Sequence, residues 1–119
     1  MRRERNGGVS GGSPTGFKVR FIMPTYITLI NYTQRGIEEI KDSPNRLQAA
    51  KEAIRAAGGE LNAFYLTMGR FDAISIGEAP NDEVYARTIL ALGAGGRIRT
   101  ESLRAFTEDE FRSIVAGLP

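Results

Sequence analysis

Leu61-Asn62-Ala63-Phe64-Tyr65-Leu66-Thr67-Met68-Gly69-Arg70-Phe71-Asp72-Ala73-Ile74-Ser75-Ile76 decides the fold. It holds two runs rich in apolar, β-branched and aromatic residues, parted by Gly69-Arg70. Such runs read as strands, and so short a connection makes them an antiparallel hairpin. The pattern predicts strand 2 over 60–68 and strand 3 over 71–78. Gly69 would supply positive φ in the turn, and Pro80 ends the second run.

Upstream of the hairpin, Pro24 to Tyr32 reads as strand 1. Its apolar residues fall on both parities, so both faces of this strand need cover. Thr33 to Asp42 holds a weak helical turn, with Ile37 and Ile40 three apart. Ser43-Pro44 then reads as an N-cap followed by proline at the first helical position. Leu47, Ala50, Ile54 and Ala57 form one apolar stripe, and Gly58-Gly59 closes that helix. Downstream, Asn81 caps a second helix whose first turn holds Asp82 and Glu83, favourable at the positive dipole end. Its body is Val84 to Leu92, and the Gly93 to Gly96 cluster ends it. Strand 4 covers 97–106. Thr107 and Glu110 then spell a capping box, with Phe106 and Phe111 at the two positions of a hydrophobic staple. A final helix with both devices is expected to lie across the sheet edge or on a partner subunit.

The order is β-α-β-β-α-β plus a terminal helix, an α+β chain with the ferredoxin-like split βαβ arrangement. Its 119 residues make one domain with one modest core. No uninterrupted apolar run approaches the roughly 20 residues that span a bilayer. Residues 1–22 carry five Lys or Arg and one acid, a local +4, whereas residues 23–119 carry 11 and 13, a local −2. The basic pI therefore belongs to the leader, and the foldable part lacks the basic face of a nucleic-acid binder. Residues 1–16 are rich in Gly, Ser and Arg and bury too little to order themselves. The expectation is a disordered basic leader, or a start assigned too early with Met23 as the true one. With no secretory pattern at the N-terminus, the protein is expected in the cytoplasm.

Absent residue types narrow the chemistry. There is no Cys and no His. This removes thiolate nucleophiles, zinc-thiolate sites, the commonest general base and the usual nitrogen ligand of haem. No spaced acidic loop points to a metal, and no glycine-rich loop opens a helix as a phosphate cradle would. No cofactor is expected.

The candidate site residues come from strand parity. Tyr26, Thr28, Ile30 and Tyr32 share one face of strand 1, where two phenols and a hydroxyl can line a pocket; a tyrosine packed with its hydroxyl at a rim reads equally from the pattern. Asn31 has the other parity and is expected to satisfy backbone groups near the strand end. Thr100, Ser102 and Arg104 alternate on strand 4, either as a partly hydrated cavity wall or as a hydrogen-bonded ladder. Arg99 and Glu101, on the other parity, read as a solvated pair. Arg70 and Asp72 are two apart and can form a ligand-binding pair at a pocket mouth. Alternatively Asp72 accepts backbone N–H bonds in the turn while Arg70 stands in solvent.

Gly69-Arg70-Phe71-Asp72, with Met23-Pro24-Thr25-Tyr26-Ile27 and Arg104-Ala105-Phe106-Thr107-Glu108-Asp109-Glu110-Phe111, resembles the GYD domain family. Phe71 stands in place of the signature tyrosine, between Gly69-Arg70 and Asp72. The resemblance covers about residues 23 to 119. It implies a homodimer in which two ferredoxin-like sheets pack face to face as a dimeric α/β barrel. It supplies no reaction. Three classes of function follow. The first is a small-molecule-binding protein with a pocket lined by Tyr26, Thr28, Tyr32, Arg70, Thr100 and Arg104, holding neither metal nor haem. A cofactor-free monooxygenase or isomerase is its catalytic variant. The second is a non-catalytic ligand-sensing or assembly module acting through a protein partner. The third, RNA binding, is disfavoured because strand 3 offers only Phe71 for base stacking.

Overall fold

A computed structural model describes residues 23–119. The expectations for residues 1–22 lie outside the described residues. The elements run β1 (Thr25–Tyr32), α1 (Gln34–Glu38), a 3-10 turn (Ile40–Asp42), α2 (Ser43–Ala56), β2 (Glu60–Leu66), β3 (Ala73–Glu78), α3 (Asp82–Gly93), β4 (Ile98–Ala105) and α4 (Glu108–Ala116). The strands form one antiparallel sheet in the order β2-β3-β1-β4. This is the ferredoxin-like α+β arrangement expected from the element order. α2 and α3 cover one face, here the inner face.

Local chemistry explains most boundaries. α2 ends at Ala57, where Gly58 takes φ +93°. The Gly58 N–H bonds the Arg55 carbonyl and the Gly59 N–H bonds the Ile54 carbonyl, the two bonds of a Schellman cap. The Asn81 side chain accepts from the Val84 N–H and starts α3. The reciprocal capping box of Thr107 and Glu110 starts α4.

Four details depart from the sequence reading. Strands 2 and 3 are shorter than expected, and Thr67–Asp72 form a wider loop. Thr67 closes that loop, its N–H on the Asp72 carbonyl and its hydroxyl on the Phe71 carbonyl. Gly69 does take positive φ, +150°, at its tip. Second, Ser43 is not the cap of α2: the chain is already helical through the 3-10 turn, and the Ser43 hydroxyl bonds that of Tyr32. Third, α4 does not lie across its own sheet; its residues are exposed except for the half-buried Glu110. Fourth, Arg99 and Glu101 are exposed but form no ion pair with each other among the described residues.

β2 carries a bulge between Leu61 and Ala63. Leu61 faces Gly77 and Phe64 faces Ser75, so both lie on the inner face although three residues apart. The fully or nearly buried side chains are Tyr26, Thr28, Ala73 and Ala79. All but Ala79 belong to the inner face of the central strands β1 and β3.

Candidate functional site

Strand pairing lays out the inner face in rows. Tyr26, Thr28 and Ile30 of β1 stand opposite Gly77, Ser75 and Ala73 of β3. On the other side, Tyr26, Thr28, Ile30 and Tyr32 stand opposite Arg104, Ser102, Thr100 and Ile98 of β4. β3 thus offers only small side chains to the helices above it. The space they leave is a cavity of about 270 Å³ between the sheet and the two long helices. Leu47, Ala50 and Ile54 of α2 and Val84, Tyr85 and Leu92 of α3 wall it from above.

One end of the cavity is closed by two tyrosines. The Tyr85 ring lies parallel to the Tyr26 ring, centroids 3.9 Å apart and planes 4° apart. The Tyr26 hydroxyl donates to the Asp82 carboxylate. The Tyr85 hydroxyl bonds the Thr28 hydroxyl and, at 3.1 Å, that of Ser102. Arg104 completes the rim, with Nε 3.7 Å from Asp82 Oδ1 and its guanidinium 5.8 Å from the Tyr26 ring centre. These contacts fasten the first turn of α3 to β1 and β4. Tyr26 is only 4% exposed. Burial strips water from its phenolate, and the Asp82 carboxylate both bonds the protonated form and repels the charged one. Its pKa is pushed up to about 12. At neutral pH Tyr26 is therefore a hydrogen-bond donor and not a base.

The other end is polar but internally satisfied. The Tyr32 hydroxyl meets Ser43 Oγ at 3.1 Å. Arg97 Nε sits 2.5 Å from Glu39 Oε1, and this bond holds the Glu39 carboxyl below its usual range. Arg46 donates to the Glu39 carbonyl at 3.1 Å and pairs with Asp42 at 3.5 Å. Beside this end, Asp72 locks the loop to the sheet. Its carboxylate accepts from the Tyr32 N–H at 2.9 Å, while its own N–H reaches the Ile30 carbonyl and Asn31 Oδ1.

Among the candidate residues, Tyr26, Thr28, Tyr32 and Thr100 line the cavity. Arg104 stands at its rim. Arg70 does not join them; it is exposed on the loop, its guanidinium 5.4 Å from the Phe71 ring centre. Phe64, Ser75, Tyr85, Arg46 and Arg97 also line the cavity and were not foreseen. Tyr85 had a signal: with Thr88, Ile89 and Leu92 it makes an i, i+3, i+4, i+7 stripe on α3. Ser75 had one too, by alternation with Ala73 and Gly77. Phe64 had none, because the bulge that turns it inward is a pairing feature. Among the described residues, no three acidic side chains gather closely enough to hold a metal ion. Nor is any helix there long and apolar enough to cross a membrane.

No solved structure matches this chain. A protein of Thermus thermophilus named "Glutamine synthetase and cystathionine beta-lyase binding protein" is 31% identical over 84 residues, covering 70% of this chain and 88% of that protein. The GYD domain matches residues 26–115, from the stacked Tyr26 to the apolar stripe of α4. With its ferredoxin-like sheet and that span, the chain belongs to the GYD domain family.

Proposed function

We propose that this chain is a cytoplasmic protein-binding module that works as a homodimer and docks on a metabolic enzyme. The observation that carries the reading is the name of its Thermus relative, a binding protein for glutamine synthetase and cystathionine β-lyase. Two surfaces left open among the described residues support it. On the sheet face away from the helices, Ile27, Leu29, Ile74, Ile76 and Leu103 form an apolar patch. We assign a second copy to it, which gives the face-to-face barrel. On α4, Phe111, Ile114 and Val115 recur at i, i+3 and i+4, Leu118 follows just past the helix end, and all four are exposed. An amphipathic helix of this kind fits an apolar groove on another protein.

The test is co-elution of the purified chain with glutamine synthetase and with cystathionine β-lyase from its own host. The expected result is a complex with at least one of them, lost in Ile114→Glu. If neither enzyme binds the wild-type chain, the proposal fails.

A second role is compatible with the first and rests on the cavity: small-molecule binding that informs the docking partner. The buried Tyr26 is held protonated by its surroundings, which favours binding over acid–base turnover.

A further inference from the structure

The charged residues at the cavity have their electrostatic needs met outside it or face away from it. Arg97 is paired with Glu39, Arg46 with Asp42 and the Glu39 carbonyl, and Glu60 with Arg55 at 3.2 Å. Glu78 is paired with Thr25 in the ladder and so has the outward parity of β3, one residue beyond the inward Gly77. A charged ligand group inside would find no free counter-charge and would lose its hydration without compensation. Between the two polar ends the interior is apolar, apart from hydroxyls. Thr28 and Ser102 are already engaged by Tyr85. Ser75 and Thr100 line the cavity, and no other described side chain engages their hydroxyls.

From this distribution we infer that the cavity binds a neutral, largely apolar molecule with one hydroxyl or carbonyl oxygen placed against Ser75. At the packing density of protein interiors, 270 Å³ accommodates roughly 10 to 15 non-hydrogen atoms, the size of a fused two-ring compound. The inference rests on the small-molecule reading above, and its test separates the two.

Three probes are used on the whole chain. Xenon, followed by NMR, reports whether an accessible apolar cavity exists regardless of ligand class. 1-Naphthol and 1-naphthoate, compared by calorimetry, differ in charge on the same ring system. The expected result is xenon binding together with 1-naphthol binding at least tenfold tighter than 1-naphthoate. Ser75→Ala should weaken 1-naphthol about two- to tenfold, the value of one neutral hydrogen bond, while leaving xenon binding intact. Ala50→Phe, checked for folding by circular dichroism, should abolish both. Xenon binding without 1-naphthol binding overturns the ligand class and spares the cavity. Preference for 1-naphthoate does the same. No xenon binding removes the small-molecule reading and this inference with it.

Discussion

The two faces of the sheet contrast in chemistry although they share the same strands. The inner face of β1 carries Tyr26, Thr28, Ile30 and Tyr32, tied to the helices by stacking and hydroxyl bonds. The outer face carries Thr25, Ile27, Leu29 and Asn31, and neither α2 nor α3 covers it. A covered face that is rich in polar contacts and an uncovered one that is rich in aliphatics invert the usual arrangement of an antiparallel sheet. The inversion is the reason the outer face is proposed as the place where a second copy sits. Ile27, Leu29, Ile74 and Ile76 there are only partly buried, while the helix-covered side is organised around a cavity.

The sharpest way to break this contrast is to charge the bare face. Ile27 sits between Ile76 and Leu103 in the register. Ile27→Asp should dissociate the proposed homodimer, raising its dissociation constant by at least about 100-fold, or about 3 kcal/mol. Light scattering after size exclusion checks the mass, and circular dichroism checks that the monomer remains folded. A variant that stays dimeric, or a wild-type chain that is monomeric, would show that this face has another use.

An effect of similar size probes the covered face through pH. The folded pKa of Tyr26 is raised to about 12 from 10.0. The unfolded chain therefore releases this proton first. The stabilisation is fully present below pH 10 and is lost as pH rises from 10 through 12, amounting to about 3 kcal/mol. Urea unfolding across this window should show that decline, and Tyr26→Phe should flatten it. Equal slopes in both proteins would mean that the phenol is not held as described. The smallest effect belongs to Tyr85→Phe. It keeps the stacked ring and removes both hydroxyl bonds, and should cost about 1 kcal/mol by the same unfolding measurement. A loss of several kcal/mol would make the hydroxyl pair, and not the stack, the fastening of α3.

Where local chemistry rules, the sequence reads plainly. The hairpin runs, the glycine end of α2, Asn81, and the Thr107–Glu110 box all act within a few residues, and the structure contains each of them. Strand parity also told which residues of β1 and β4 share a face. What escaped is set by distant partners. Phe71 and Asp72 have the composition of a strand start, yet the bonds of Asp72 to Ile30, Asn31 and Tyr32 place them in a loop. Ser43 has the signature of a cap, but an upstream 3-10 turn leaves its hydroxyl free for Tyr32. The cavity itself is a sum of small side chains on one strand, and no single residue of it announces a hole.

The bulge in β2 makes Asn62 a residue the register can spare. Deleting Asn62 would let β2 pair regularly, with Leu61 still opposite Gly77, Ala63 opposite Ile76 and Phe64 opposite Ser75. Phe64 would keep its place on the inner face. A second deletion, with no bulge left to absorb it, would exchange the two faces of the strand. The loss of one residue is therefore expected to be tolerated at the bulge as well as in the Thr67–Asp72 loop, and the loss of two in β2 is not.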